Sequence, residues 1–203
     1  MRVIGITGPS GSGKTALTQR LATFGVPTVD ADELYHSMLV PPSKCLDAIR
    51  DSFGDTVFRA DGSLDRSALS QVVFGDSQRL SLLNSTVLGI VLDEIRNIIA
   101  LLESRGHDTV AVDAPTLIES GFNTECDTVI SVIAPRNVRI ERIMARDGIS
   151  HKAATARIDA QPDDAFYKNA SDFVILNDGD EEAFTKEVLC LIQTLNLTRG
   201  EIK

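Results

Sequence analysis

A glycine-rich segment near the amino terminus has the residue types that bind nucleotide phosphates. It reads Gly8-Pro9-Ser10-Gly11-Ser12-Gly13-Lys14-Thr15 and matches the pattern G-x-x-x-x-G-K-[ST] in full. In this pattern the glycines let backbone N–H groups turn toward phosphate oxygens, the lysine reaches the β- and γ-phosphates, and the hydroxyl ligates Mg²⁺. We name residues 8–15 the P-loop and predict that it binds a nucleoside triphosphate. The predicted phosphate contacts are Gly11, Ser12, Gly13, Lys14, Thr15 and Ala16, with Thr15 also a magnesium ligand.

Two aspartates that follow apolar segments could take part in phosphoryl transfer. Asp32 lies just beyond Val26–Val29, where the carboxyl end of a parallel strand would meet a ligand. Its carboxylate could accept the proton of an attacking hydroxyl. Alternatively, Asp30 or Asp32 could only cap the helix that follows. Asp113 ends Thr109–Val112 and could hold Mg²⁺, although a helix cap or a turn would also account for it.

Four arginines could stabilise the charge of a transferring phosphoryl group. Arg139, Arg142 and Arg146 recur at i, i+3 and i+7, so they share one face of a helix, and Arg157 follows in the next predicted helix. Such a face of guanidinium groups is typical of a mobile lid that closes over phosphates. A solvated surface helix, balanced by neighbouring acidic residues, is the alternative.

The elements that must position these residues follow a regular alternation. Short apolar segments predict strands at Arg2–Thr7, Val26–Val29, Thr109–Val112, Thr128–Ile133 and Phe173–Leu176. Helical patterns occupy Lys14–Phe24, Asn137–Arg146, Ser150–Gln161, Glu181–Leu195 and most of Ser43–Arg105, which is interrupted at Phe53–Leu64. Because the strand segments are continuously apolar, they predict a parallel sheet covered by helices on both faces. The expected fold class is α/β, a three-layer P-loop NTPase fold with five parallel strands.

Composition narrows the possible functions further. The chain has 203 residues, of which 43% are hydrophobic and 24% are charged, as in one soluble globular domain. The net charge of −9 argues against a general binder of nucleic acids or anionic membranes. No apolar segment is long enough to span a membrane. Cys45, Cys126 and Cys190 are too far apart in sequence for a zinc site and suit a reducing compartment, so we expect a cytoplasmic protein.

Among small P-loop proteins, the sequence favours a kinase of small molecules. A GTPase would normally read guanine with Asn-Lys-x-Asp, and no such tetrapeptide occurs. A small-molecule kinase needs an acceptor site, a carboxylate for an alcohol acceptor, and arginines for the charge that develops. A non-catalytic nucleotide-binding protein is the alternative from another class, although it would not require the carboxylate.

Shorter matches along the chain add a family resemblance. They include Val29-Asp30-Ala31-Asp32, Phe53-Gly54, Asp61-Gly62-Ser63-Leu64-Asp65-Arg66 with Leu69 and Phe74, Leu83-Asn84, Pro115 with Leu117 and Glu119, Arg142 with Met144, Arg146 and Asp147, Ala160-Gln161, and Asn177-Asp178-Gly179. In this order and spacing, together with the P-loop, they make the chain resemble the dephospho-CoA kinase family from Met1 to about Leu195.

The resemblance implies transfer of the γ-phosphate of ATP to the ribose 3′-hydroxyl of dephospho-CoA, the last step of coenzyme A synthesis. ATP and Mg²⁺ would be required. Lys14, Asp32 and Arg142 would be the catalytic residues, with Asp32 as general base. The implied parts are a core (1–40, 106–135 and 162–203), a helical acceptor-binding subdomain (41–105) and a lid (136–161).

The resemblance also implies further binding residues. Arg146 and Asn177 would join the P-loop in binding ATP. The metal ligands remain Thr15 and Asp113, as the P-loop pattern and the strand end predict. The expected acceptor-binding residues are Thr7, Gly8, Asp32, Leu117, Glu119 and Arg157. The partner would be a small molecule rather than nucleic acid or membrane. A kinase of another small alcohol or nucleotide on the same frame is the alternative, and the oligomeric state is left open.

Overall fold

A five-stranded parallel sheet forms the centre of the computed structural model, which describes residues 1–197. The strands are β1 (Arg2–Thr7), β2 (Thr28–Asp30), β3 (Thr109–Asp113), β4 (Thr128–Ile133) and β5 (Phe173–Leu176), in the order β2-β3-β1-β4-β5. β3 and β4 both run parallel to β1, where Ile6 is in register with Asp113 on one side and Ile130 on the other. The predicted fold class is confirmed.

Short polar side chains determine where most of the helices begin. The helices are α1 (Lys14–Thr23), α2 (Ala31–Ser37), α3 (Lys44–Phe53), α4 (Arg66–Val73), α5 (Ser77–Ser104), α6 (Arg136–Asp147), α7 (His151–Asp159), α8 (Asp164–Asn169) and α9 (Glu181–Thr194), with short 3₁₀ turns at Asp55–Val57 and Phe122–Glu125. The side chains that accept first-turn N–H groups belong to Asp30, Ser43, Asp65, Asp76, Ser150, Asp163 and Asp180. Aspartate and serine are preferred there because their oxygens satisfy otherwise unpaired donors.

The second strand begins later than predicted. The prediction was Val26–Val29, whereas β2 spans Thr28–Asp30. Gly25 has a positive φ of 81° and ends the preceding helix, and the Val26 N–H donates to the Leu21 carbonyl at 3.2 Å. This bond from C″ to C3 is the Schellman arrangement. Val26 therefore belongs to the helix end, although its apolar side chain resembles the start of a strand.

Two helices cover one face of the sheet. Leu17 and Leu21 of α1 and Phe184 and Val188 of α9 pack with strand side chains such as Ile4 in one buried cluster. The helical spacing of these residues places them on one side of each helix, as the sequence pattern predicts. This face fixes α1, the helix that follows the P-loop, against β1.

The opposite face is covered at β1 by a loop segment, and a glycine makes room for it. A Cβ at Gly5 would lie 2.7 Å from Leu117 Cδ2 and 2.8 Å from Cys126 Sγ. Both distances are shorter than van der Waals contact, so only glycine fits. Burial raises the pKa of the Cys126 thiol to about 12. Tyr167 of α8 is also buried, with 1% of its surface exposed.

The chain forms two compact units. The first comprises Met1–Val29 with Leu102–Lys203, and the second comprises Asp30–Leu101. The second unit has its own core, in which Cys45, Leu46 and Ile49 of α3 pack with Leu69 of α4. The predicted division into core, acceptor-binding subdomain and lid stays a prediction, and residues 198–203 of its core range lie outside the described residues. Within residues 1–197, no helix is both long and apolar enough to cross a membrane.

Candidate active site

The P-loop lies between β1 and α1 and is shaped by three glycines. Gly8, Gly11 and Gly13 have φ angles of 140°, 77° and 98°, which other residues rarely adopt. A Cβ at Gly8 would lie 2.1 Å from the carbonyl oxygen of Val132. One at Gly13 would lie 2.1 Å from Asn177 Nδ2. The loop is therefore wedged against the carboxyl end of β4 and against Asn177.

The first turn of α1 has the features of an anion site. Gly13 is its N-cap and, as a glycine, has no side chain to cap the helix. The Lys14 ammonium donates to the Gly8 carbonyl at 2.9 Å, so the side chain folds back over the loop. Thr15 is exposed, while the Ala16 N–H donates to the Gly13 carbonyl at 3.0 Å. Positive charge from Lys14 and from the helix dipole thus acts on the same loop.

Arg142 binds the P-loop from the side of α6. One terminal nitrogen, NH1, donates to the carbonyls of Gly11 and Ser12, each at 3.3 Å, and to that of Asn177 at 3.2 Å. The other, NH2, donates to Asn177 Oδ1 at 2.8 Å. The Ser12 side chain is fully buried, and its hydroxyl has no hydrogen-bond partner within residues 1–197. Arg142 and Asn177 therefore hold the backbone of the P-loop in place.

Ser10 is held by two residues from the ends of the predicted lid. Its N–H donates to Gln161 Oε1 at 3.1 Å, and its hydroxyl accepts from Gln161 Nε2 at 3.3 Å. Its carbonyl accepts from Arg139 Nε at 2.9 Å. Arg139 NH2 also donates to Gln161 Oε1 at 3.0 Å, and Arg139 NH1 lies 3.9 Å from a carboxylate oxygen of Asp164. Burial lowers the pKa of the Arg139 guanidinium, whose side chain is almost fully enclosed.

Arg146 and Arg157, both in the predicted lid, pair with the carboxylate of Asp147. Arg146 donates to both oxygens of Asp147, at 2.7 and 3.0 Å, and Arg157 also pairs with Asp147. Hydrogen bonds from Arg146 and then Arg157 lower the pKa of the Asp147 carboxyl to about 2. The three residues form what we name the outer cluster. The arginines of α6 are thus not one solvated face: Arg139 and Arg142 donate to P-loop carbonyls, whereas Arg146 donates to Asp147.

The carboxyl ends of β1 and β3 bring Thr7 and Asp113 near each other in the sheet. Asp113 is the last residue of β3, in register with Ile6 and therefore beside the end of β1. It is buried, with 6% of its surface exposed. The Thr7 hydroxyl donates to the Pro115 carbonyl at 3.4 Å. The predicted metal ligand thus lies at the edge of the sheet from which the P-loop starts.

Leu117 and Glu119 differ in accessibility. Leu117 is fully buried against Gly5, so its side chain belongs to the core. Glu119 is exposed and close to Tyr167, whose pKa is raised to about 12 by burial and by the Glu119 charge. Their predicted contacts with the acceptor stay predictions.

Asp32 lies in the second unit and does not cap its helix. The Asp30 carboxylate accepts the Glu33 N–H at 2.9 Å and so serves as the N-cap of α2. Asp32 is an exposed residue of the first helical turn. The capping alternative is therefore wrong for Asp32, which leaves its carboxylate accessible.

Comparison with known proteins decides the family. The sequence profile of a family described as dephospho-CoA kinase matches residues 2–182. The chain belongs to the dephospho-CoA kinase family. A dephospho-CoA kinase from Anaeromyxobacter dehalogenans is 39% identical over 201 residues, covering 98% of this chain and 95% of the relative. One from Carboxydothermus hydrogenoformans is 35% identical over 191 residues, covering 94% and 93%.

A solved structure agrees with this assignment. The dephospho-CoA kinase from Campylobacter jejuni superposes with a TM-score of 0.70 at 25% identity, covering 96% of this chain and 98% of that one. The predicted resemblance, and with it the prediction of a kinase, is confirmed.

The sequence did not assign a role to Gln161 in this member of the dephospho-CoA kinase family. It also placed Arg139 only on a shared helical face. In the structure both residues bind Ser10. The sequence signals were the position of Gln161 at the end of the predicted helix Ser150–Gln161 and the match at Ala160-Gln161, and neither indicates a contact with the P-loop.

Proposed function

We propose that this chain transfers the γ-phosphate of ATP to the ribose 3′-hydroxyl of dephospho-CoA, forming coenzyme A and ADP. One observation carries the proposal beyond family membership. Asp30 makes the capping bond of α2, so the exposed Asp32 carboxylate is available as a base. A nucleotide-binding protein without catalysis would need the P-loop but not Asp32.

In the proposed reaction Asp32 accepts the proton of the 3′-hydroxyl. The resulting oxygen forms a bond to the γ-phosphorus, and the bond from that phosphorus to the β–γ bridging oxygen breaks, releasing ADP. The Lys14 ammonium, now bonded to the Gly8 carbonyl, would move to the β- and γ-phosphates as charge develops there. The N–H groups at the start of α1 would bind the same oxygens.

Arg142 would stabilise the charge on the transferring group. Its present acceptors are backbone carbonyls and an amide, which are uncharged, so its positive charge is not cancelled where it lies. Asn177 would bind ATP beside Gly13, and Arg146 would contact it from the lid. Of these three roles, that of Arg142 has the most direct support, because its guanidinium is bonded to the P-loop.

Thr15 and Asp113 would hold Mg²⁺, which supplies neutralising charge to the phosphates when bound. Both offer the hard oxygen ligands that Mg²⁺ prefers. Thr15 is exposed in the first turn of α1, and Asp113 ends the strand next to β1. Within residues 1–197, no three acidic, histidine or cysteine side chains cluster to hold a metal alone. Phosphate oxygens and water would have to complete the coordination, as is usual for Mg²⁺ in kinases.

Further proposals concern the acceptor and the location. Residues 41–105 would bind the acceptor with Thr7, Gly8, Leu117, Glu119 and Arg157, and residues 136–161 would act as the lid. The three cysteines are free in the structure, which supports a reducing compartment such as the cytoplasm.

The experiment that tests the function is a coupled ADP-release assay with ATP and dephospho-CoA, compared with nucleoside monophosphates as acceptors. In Asp32→Asn we expect kcat to fall by about 10² to 10⁴, with little change in the KM for ATP. Asp30→Asn is the matched control, since asparagine also caps helices and kcat should be retained.

Two results would contradict the proposal. A preserved kcat in Asp32→Asn would show that Asp32 is not the general base. Turnover of a nucleoside monophosphate, but not of dephospho-CoA, would show a kinase of another acceptor.

A further inference from the structure

Ser10, Arg139 and Gln161 form a closed hydrogen-bonded set that we name the Ser10 joint. The N–H, hydroxyl and carbonyl of Ser10 all bond to the other two residues, and Arg139 and Gln161 bond to each other. Residues 139 and 161 lie near the two ends of the predicted lid. Both ends are therefore tied to one residue of the P-loop.

The geometry points to Gln161 as a positioning residue for ATP, which acts by fixing Ser10 and through it the conformation of the P-loop. This inference rests on the proposed function, because it assigns Gln161 to the same ATP site. Gln161 itself need not touch ATP.

The P-loop needs such an external support at Ser10. Gly8 and Gly11, on either side, both have positive φ angles, and glycine is the most conformationally free residue. Ordering this loop only when ATP arrives would cost conformational entropy. A loop already held in its bound shape binds more tightly, because that cost has been met during folding.

A glutamine amide is well suited to the task. Its single oxygen accepts from both the Ser10 N–H and Arg139 NH2, at 3.1 and 3.0 Å, while its nitrogen donates to the Ser10 hydroxyl. A carboxylate could accept the same two bonds but would place a negative charge beside the phosphate site. The neutral amide supplies the bonds without repelling ATP.

Arg139 makes the support rigid. It is 5% exposed and packed within the first unit, so it has little freedom to follow Ser10 if the loop moves. Without the Gln161 oxygen, the Ser10 N–H and Arg139 NH2 would each lose an acceptor in a half-buried place. Unpaired donors there favour a rearranged loop.

The test uses Gln161→Met in the full chain, because methionine has a similar length but lacks the amide. Gln193→Met is the matched control, since Gln193 is an exposed residue of α9. Calorimetry gives the dissociation constants for ATP and for adenosine, which has no phosphates. The coupled ADP-release assay gives the KM values for ATP and for dephospho-CoA. In Gln161→Met we expect the Kd for ATP to rise about fivefold or more, as for one or two lost hydrogen bonds. The Kd for adenosine, the KM for dephospho-CoA and all constants of Gln193→Met should stay unchanged.

Two outcomes would overturn the inference. An unchanged Kd for ATP in the folded Gln161→Met variant would show that the joint does not position the loop. An equal loss of ATP, adenosine and acceptor binding would show a general structural defect. Failure of the proposed function is separate: wild-type protein that binds ATP but does not phosphorylate dephospho-CoA contradicts that proposal and leaves the ATP comparison intact.

Discussion

Two parts of α6 place arginines in opposite electrostatic settings. Near the P-loop, Arg142 donates only to carbonyl and amide oxygens, and it pairs with no carboxylate of residues 1–197. In the last turn of the helix, Arg146 chelates the Asp147 carboxylate with two hydrogen bonds. The charge of the first guanidinium is therefore not offset by a carboxylate of residues 1–197, whereas that of the second is paired with one.

The difference shows how one helical face can hold residues with separate tasks. Arginine remains charged even when buried, and it can bind several acceptors in fixed directions. Bonding it to neutral oxygens orients it without cancelling its charge. In a protein with a net charge of −9, this arrangement keeps beside the P-loop a positive charge that pairs with no carboxylate of the described residues.

Among variants of the α6 arginines, the largest effect is expected for Arg142→Ala. Removing one charged donor from the site of developing charge should lower kcat by about 10² to 10³. The coupled ADP-release assay measures it. Arg142→Lys keeps the positive charge but not the planar guanidinium, so its kcat should lie between those of the wild type and Arg142→Ala. Near-normal turnover in Arg142→Ala would show that its four bonds only shape the loop.

Arg139→Met should mainly reduce stability. It leaves the Ser10 carbonyl and the Gln161 oxygen without the guanidinium, in a place where Arg139 is 5% exposed. We expect the free energy of unfolding to fall by about 1 to 3 kcal/mol, measured by urea denaturation. The matched Arg146→Met, at an exposed site, should change it by less than about 0.5 kcal/mol. Equal losses of unfolding free energy in the two variants would contradict the difference between the buried Arg139 and the exposed Arg146.

Arg146→Ala should have a smaller effect on activity. Its side chain is 61% exposed, and contacts of exposed charges contribute about 0.2 to 1 kcal/mol. We expect the KM for ATP to rise by less than about fivefold, with the difference shrinking at high salt. Arg79→Ala is the control, because Arg79 is 57% exposed and also pairs with an aspartate. If kcat/KM for ATP fell as far in Arg146→Ala as in Arg142→Ala, the two arginines would not differ in their roles.

The smallest effect concerns the titration of Asp147. Its pKa of about 2 lies below that of an ordinary aspartate, so the pairing stabilises the folded protein at pH values above about 4. That contribution disappears as the pH falls from about 4 toward 2. In Arg146→Gln, carbon-13 NMR titration should show the pKa of Asp147 raised toward its ordinary value. An unchanged pKa would assign the shift to Arg157 alone.

Local sequence patterns predicted the sheet well. β1, β4 and β5 have the predicted bounds. β1 and β4 are buried almost throughout, as continuous apolar segments of a parallel sheet predict, whereas β5 lies at the edge of the sheet and exposes Val174 and Leu176. The P-loop followed from its fixed spacing. α8, Asp164–Asn169, was not predicted, since six residues are too few for a clear helical period.

Contacts between distant residues were the part that sequence could not provide. Gln161 and Ser10 are 151 residues apart, and neither side chain has a spacing that indicates the other. The same holds for Arg142 and Asn177, which are 35 apart. Family resemblance indicated Arg142 and Asn177 but not how they meet, because that depends on packing of α6 against the P-loop.

The fit of Cys126 against Gly5 has a practical consequence for spectroscopy. Thiol reagents attack the thiolate, and burial raises the pKa of both Cys126 and Cys45. Cys190, on α9, is the exposed cysteine of the three. A maleimide dye should therefore attach at Cys190 with a stoichiometry of one, without replacing any residue. The dye would report from a helix that packs with α1, which begins at the P-loop.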